Sequence, residues 1–474
     1  MSIRRIKQYP FPRNLDSPES ISTYLQSLYR TLQEEATERI VDFSLLEMAD
    51  VPWVDVRTYG AKGDGETDDT KAIQAALTSM TPGGVLLIPE GDYLVGATWP
   101  TPCLTVANDD ILIMGVGHSS RIYTADTTTI FNVTGDRVFF MDLMIEGDGT
   151  TTDDGSKGPA LIRFYRVAGG GVHNCKLYKP HTYGVLVKES YNVDVVGNHI
   201  EGNYTTWPGT GHTTHAGICG SAAANSRIAG NRITNCVQGA LLSISGAALN
   251  VDGENSDHCR GLIFEGNKFY NNMNHHIYST DGYNCSFLGN MCHTTYDGAG
   301  IKVMYHNAII SGNHSVYAGD VTTFGGYGIY LDLADDCIVT NNYAAYNPTD
   351  GIEIKRSSNC TVSSNVAELN GYHGIRLLED STDNTVQANV CRNNATVSAG
   401  DGIRIQDTGT ACLYNVLGGN TCIDTRTPAT QVYGIGEQNL GDYNLIHGNI
   451  TRGNLTAGIN HTGVNTVEAD NLEI

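Results

Sequence analysis

The sequence predicts an all-β protein, a parallel β-helix solenoid of about ten to twelve coils with an N-terminal α-helical segment, and three observations predict it. An asparagine, usually after glycine, recurs at Asn198, Asn231, Asn267, Asn290, Asn313, Asn342, Asn365, Asn389, Asn420 and Asn449, in steps of 33, 36, 23, 23, 29, 23, 24, 31 and 29. The shortest step is one coil of two or three short strands, and longer steps are the same coil with a loop let in. Each coil also carries a Gly-Ile-x-Ile-like strand, as in Gly300-Ile301-Lys302-Val303, Gly328-Ile329-Tyr330-Leu331, Gly351-Ile352-Glu353-Ile354 and Gly374-Ile375-Arg376-Leu377. Glycine makes up 54 of 474 residues, which suits a chain that turns this often.

The first 50 residues differ from the rest. Ser17-Pro18-Glu19 reads as an N-cap, a proline at the first helical position and an early acid. Ile21, Leu25, Leu28, Leu32, Ala36, Ile40 and Phe43 then fall on one helical face. The reading is a segment 1–50 that caps the solenoid or drives self-association, followed by a single β-helix domain over 51–474.

Residues 54–69 read Val-Asp-Val-Arg-Thr-Tyr-Gly-Ala-Lys-Gly-Asp-Gly-Glu-Thr-Asp-Asp, and Gly83-Gly84-Val85-Leu86-Leu87-Ile88-Pro89-Glu90-Gly91-Asp92-Tyr93 follows. This is strand, glycine-rich turn, acid-capped short helix and strand. It lacks the Lys-Ser/Thr of a phosphate loop, and its carboxylates would repel phosphate. The block closely resembles the opening segment of the pectate-lyase-like superfamily of right-handed parallel β-helices. That superfamily includes polysaccharide lyases, polygalacturonase-type hydrolases, alginate epimerases and phage tailspikes. The resemblance implies a right-handed helix, a polysaccharide partner and, because tailspikes also carry a segment ahead of the β-helix, a homo-trimer.

Composition narrows the field. Lys+Arg number 29 against 51 Asp+Glu, a net charge of −22, which argues against nucleic-acid or anionic-membrane binding over a broad face. No apolar run approaches a membrane span, so no membrane insertion is expected. Met1-Ser2-Ile3-Arg4-Arg5 is not followed by an apolar signal core, so synthesis in the cytoplasm is expected, with a virion-associated or released fate implied by the resemblance. The 12 cysteines form no C-x-x-C. Counted from the turn asparagines, Cys285, Cys337 and Cys360 fall in one inward column and Cys292, Cys391 and Cys422 in another, which reads as core thiols.

Side chains alternate across a strand, so the x positions of Gly-Ile-x-Ile-x face outward. The first x column runs Leu186, Cys219, Leu241, Tyr278, Lys302, Tyr330, Glu353, Arg376, Arg404, Gly436; the second includes Lys188, Thr280, Met304, Asp332, Lys355, Leu378 and Gln406. Between Ile301 and Asp407 there are six Lys/Arg, and Lys302, Lys355, Arg356, Arg376 and Arg404 sit on or just after this strand. A cationic band interleaved with Tyr278 and Tyr330 suits an extended anionic glycan; a solvated face with ion pairs such as Glu353 with Arg376 is the alternative.

β-Elimination on a uronate polymer needs a neutralised carboxylate, a base and an acid. Lys302, Lys355 and Arg376 suit the first task, and Tyr278, Tyr330, Lys302, His275 and His276 the others. A lyase is therefore the leading expectation. The rival is an inverting, tailspike-like hydrolase using Asp332 and Glu353, whose one-coil, two-residue offset places them roughly 8 Å apart, with Asp281 a third acid. The third reading is a spike that binds glycans without cutting them. Lys355, Arg356, Arg404, Trp207 and His215 complete the expected substrate contacts. No cofactor is required; the resemblance implies calcium for some lyases, for which Asp332, Asp335 and Asp336 are the available carboxylates. Alginate epimerases carry Tyr-Gly-Phe-Asp-Pro-His-Glu where this chain has Tyr183-Gly184-Val185-Leu186-Val187-Lys188-Glu189, which argues against epimerase chemistry at that coil.

Overall fold

A glycine-rich turn has to reverse the chain before the first full coil, and Gly63 shows why. It adopts φ +60, and a Cβ there would meet the Tyr93 ring at 2.8 Å. Asp69 is buried, and its carboxylate accepts the Lys62 and Gly63 backbone N–H groups at 2.7 and 2.9 Å. The helix Thr70–Ser79 follows. Its capping acid is Asp68, which accepts the Thr70 N–H at 3.0 Å, while Asp69 serves the turn instead. Ile73, Ala76 and Leu77 pack this helix onto the solenoid core.

The computed structural model describes residues 52–149, 158–202, 215–243, 258–280, 282–304, 307–319 and 325–474. The helix expected within segment 1–50, Trp207 and Asp281 lie outside the described residues. Residues 54–474 form one compact unit. Among the described residues the strands stack in sequence order into two sixteen-stranded sheets and one fourteen-stranded sheet, with Cys259–Arg260 and Gly282–Tyr283 as a separate two-stranded pair, all parallel. One coil runs Ile301–Met304 in the third sheet, Ala308–Ser311 in the first and His314–Val316 in the second, before Ile329–Asp332 begins the next. The stack has more coils than the asparagine count suggests because those before Asn198 lack the marker.

The asparagines form a continuous buried ladder. Asn290 N and Nδ2 both donate to Asn313 Oδ1, at 2.9 and 3.0 Å, and Nδ2 also donates to Phe264 O at 3.0 Å. The pattern repeats from Asn198 and ends at Asn471, one step beyond the recurrence seen in the sequence. Each amide thus satisfies backbone groups that the sharp turn strips of sheet partners. A second ladder, Asn347–Asn370–Asn394–Gln431, lines the turn before the third sheet.

The interior is a stack of single-residue columns. Phe269, Cys292, Ser315, Ala344, Ala367, Cys391 and Cys422 pair in register through the second sheet. All 12 cysteines are buried thiols, none in a disulfide. Phe264 and Phe287 stack at 5.4 Å, and each such buried ring contributes roughly 2 to 3 kcal/mol of burial free energy. Close packing fixes the strand-leading glycines: a Cβ on Gly351 would lie 2.6 Å from Gly374 O and 2.7 Å from Asn370 Nδ2.

Candidate active site

The third sheet delivers the predicted column in register: Tyr278 pairs with Lys302, Lys302 with Tyr330, Tyr330 with Glu353, Glu353 with Arg376 and Arg376 with Arg404. The inward neighbours Ile301, Val303, Ile352 and Ile354 are fully buried, so the backbone carrying the column is held from behind by the core.

The column's charge state differs from the expected cationic band. Arg376 Nη1 lies 3.3 Å from Glu353 and 3.5 Å from Asp350, and Arg404 Nε lies 2.9 Å from Asp401. Arg356 pairs with Asp332 at 2.5 Å, and Lys355 with Glu379 at 3.3 Å. Four of the five cations are therefore neutralised locally. Carboxylates that are remote in sequence arrive on the same face, because each coil returns the chain to it. The exception is Lys302, which no carboxylate reaches within 4.0 Å among the described residues. Its ammonium sits 5.2 Å from the Tyr278 ring and 5.0 Å from the Tyr330 ring. Burial lowers its pKa, against the pull of Asp332 and Glu353.

A second column lies one bend earlier, at the residue just before each strand-leading position; it includes His275, already expected at the site, and Tyr327, Asp350, His373, Asp401 and Tyr433, which the sequence reading missed. The signal was the residue preceding Gly-Ile. Several members are tethered to the next coil's backbone. His275 Nδ1 accepts from Ala299 N at 2.7 Å, Asp350 from His373 N at 2.8 Å, His373 Nδ1 from Asp401 N at 2.9 Å, and Asp401 from Tyr433 N at 3.0 Å. This fixes the side chains and the tautomer of His373, whose burial holds it neutral, far below the usual histidine range.

The two columns meet at Asp350 and Glu353. Arg376 bridges both carboxyls. Burial, then the neighbouring Asp350 charge, pushes the Glu353 pKa well above the carboxylate range; burial raises Asp350 as well, opposed by Arg376. Burial of two carboxyls side by side disfavours ionising both, and the upward shift is the larger at Glu353. One coil back, Asp332 accepts from Arg356 Nε at 2.9 Å and from the Tyr330 hydroxyl at 3.2 Å, and Tyr330 stacks on Tyr327 at 4.8 Å. Burial raises both tyrosine pKa values, so they stay protonated. Asp401 is pushed up to about 6 by burial.

Other expected contacts fall elsewhere. His276 faces the interior, fully buried 5.9 Å from Phe269 and bonded through Nδ1 to Asn272; it occupies the strand-leading position and is a core residue, with its pKa lowered by burial to about 3. His275 remains beside the site, 4.7 Å from the Tyr278 ring. His215, expected as a substrate contact, is buried at 3% exposure, 6.3 Å from the His181 ring. Asp335 and Asp336 lie in an exposed turn, where Asp335 accepts the Ser358 N–H at 2.6 Å. With Asp332 held by Arg356, these residues do not fit a calcium cage, and among the described residues no three His, Cys, Asp or Glu side chains gather as a metal-ligand set.

The parallel coils and outward polar grid define a protein class, the right-handed parallel β-helix. Residues 53–235 match a family described as rhamnogalacturonase A/epimerase, pectate lyase-like, and residues 305–471 one described as periplasmic copper-binding protein (NosD). Probable rhamnogalacturonase E of Aspergillus niger is 28% identical over 174 residues, 34% of this chain and 36% of that protein. Alginate lyase 7 of Azotobacter vinelandii is 37% identical over 70 residues, 14% of this chain and 8% of that protein. Among solved structures, the A-module of a mannuronan C-5 epimerase from A. vinelandii superposes with a TM-score of 0.55 at 17% identity, covering 88% of this chain and 99% of that one, a likeness of fold. The chain spans about a third of the length of the rhamnogalacturonases it matches. The likeness to the pectate-lyase-like family thus covers residues 53–235 by sequence, and the likeness to the epimerase module covers the fold.

Proposed function

We propose that the protein is a polysaccharide-degrading enzyme that works on the third sheet, and that it hydrolyses a glycosidic bond with Glu353 as general acid. The carrying observation is the buried Glu353, set beside Asp350 and Arg376 with its pKa raised well above the carboxylate range, one coil from Asp332. Asp332 is offset from Glu353 by one coil and two residues, the diagonal that suits the roughly 6.5 to 9.5 Å separation of an inverting pair. In this reading Glu353 protonates the leaving oxygen and Asp332 activates the water. Asp350 is a positioning residue, since it is fully buried and acts by holding the Glu353 proton. Glu353 is itself 1% exposed, so a bound sugar must draw the Arg376 side chain aside to reach it. Resemblance to a rhamnogalacturonase by name supports a pectic or similar polymer as the substrate class.

β-Elimination is the second reading, and Lys302 favours it: an amine with no carboxylate within 4.0 Å among the described residues and a lowered pKa, framed by two tyrosines, suits a base. The neutralisation of Arg376, Arg404 and Lys355 weighs against it, because a uronate carboxylate would have to displace their partners. A product assay on a panel of acidic and neutral polysaccharides separates the cases. Hydrolysis yields new reducing ends alone, elimination also yields an ultraviolet-absorbing unsaturated sugar, and no product on any polymer leaves the non-catalytic spike.

A further inference from the structure

A run of cations without carboxylate partners lies on a different face from the candidate active site. On the outer side of the second sheet, Lys176, His199, Arg232 and Lys268 stand in register on four successive coils. Strand spacing puts neighbours about 4.8 Å apart. Among the described residues Lys176, Arg232 and Lys268 have no carboxylate within 4.0 Å, in contrast to Arg376 and Arg404 on the third sheet. The column beside them supplies aromatic faces: the Lys176 ammonium lies 4.9 Å from the Tyr178 ring, and the Arg232 guanidinium 6.0 Å from the Tyr270 ring. Gly230, Asn231, Arg232, Lys268 and Tyr270 line an open cavity of about 380 Å³, within the range of small-ligand clefts. The one carboxylate in the strip, Glu201, stands 3.8 Å from His199. Local positive potential registers on that histidine: after burial and against Glu201, Arg232 and Lys176 both lower its pKa.

We infer that this strip is a second glycan-binding site, one that holds an extended acidic polysaccharide away from the bond-cleaving groove. Cations on three of four successive coils suit a polymer with a repeated anionic group, and Tyr178 and Tyr270 offer sugar-stacking surface. A flat run of three free cations cannot achieve tight binding by area, so its use is to raise the local concentration of polymer at the enzyme by multivalency. The site is independent of the function proposed for Glu353.

The test measures binding of the full chain to polygalacturonate, dextran sulfate and neutral dextran by affinity electrophoresis at rising salt. Binding to the first polymer alone assigns a carboxylate ligand, and to both charged polymers a general anionic one. Replacing Arg232→Gln together with Lys268→Gln should weaken binding to the charged polymer about tenfold and make its salt dependence shallower, with dextran unaffected and cleavage of a short oligosaccharide unchanged. The charge-preserving pair Arg232→Lys and Lys268→Arg should retain binding, which separates charge from folding. Equal binding by the Gln pair, no binding of either polyanion by the wild type, or binding lost by the charge-preserving pair while its fold is intact overturns the inference. So does a sedimentation mass that falls in the Gln pair without polyanion binding, because the strip would then be a contact between copies. A failure of Glu353→Gln to affect cleavage would overturn the active-site reading and leave this one standing.

Discussion

The outer face of the third sheet carries two unlike regions on the same scaffold. In the strands from Ala160 to Ser243, Ala160, Tyr183, Leu186, Ala216, Cys219 and Leu241 make an apolar cluster of their own, each 6% exposed or less. From Ile277 to Gln406 the same positions hold tyrosines, cations and carboxyls in a bonded grid. Register and inward packing are alike in both. A solenoid coil is stabilised by its interior columns and turn ladders, so its outer face is free to be apolar in one stretch and chemical in the next. Fold therefore locates the face but does not assign its chemistry.

The largest effect expected within this contrast is on turnover. Glu353→Gln removes the proton donor but keeps the shape, and should lower kcat by about 10³-fold while glycan affinity changes little. Measuring kcat and binding together checks it, and an unchanged kcat would remove Glu353 from the chemistry.

Stability should respond elsewhere. Asn365 accepts from Asn342 N and Nδ2 and donates to Val339 O and Asn389 Oδ1, at 2.9 to 3.0 Å. Asn365→Ala strands several buried polar groups at once and should cost about 3 kcal/mol, read as a lower Tm. Retained Tm would mean the ladder relaxes around the gap.

In the apolar region Leu241→Ala should cost about 2 kcal/mol of stability and leave turnover unaltered. A loss of turnover with Tm preserved would extend the active face into that region.

These two stability sites were legible in the sequence to different degrees. The asparagine ladder and the cysteine columns could be read from spacing, since a 23-residue coil places one residue per turn in each column. The x column could be read for the same reason. Its charge state could not: Asp350 and Asp401 are in the chain beside Gly351 and Gly402, but nothing in a linear count says that they bend back to meet Arg376 and Arg404. His276 stands where most other coils have the strand-leading glycine, and there its ring points inward, which a linear count does not show.

The smallest expected effect is the sharpest test of the grid, because its sign differs between two neighbours of one carboxyl. Asp350 raises the Glu353 pKa and Arg376 lowers it. Asp350→Asn should therefore move the alkaline limb of kcat/KM to lower pH, and Arg376→Gln should move it to higher pH, each by about one unit. The direction of each shift is independent of how much substrate binding is lost. Stability carries the same signature. A carboxyl whose pKa is higher in the folded state gives its full contribution below the unfolded value, about 4.3, and loses it as the pH rises through the folded value. The wild-type Tm should fall across that window, and Glu353→Gln, which has no proton to lose, should flatten the Glu353 part of the fall. Limbs that move together, or a Glu353→Gln melting profile parallel to the wild type, would show that the two carboxyls do not share a proton.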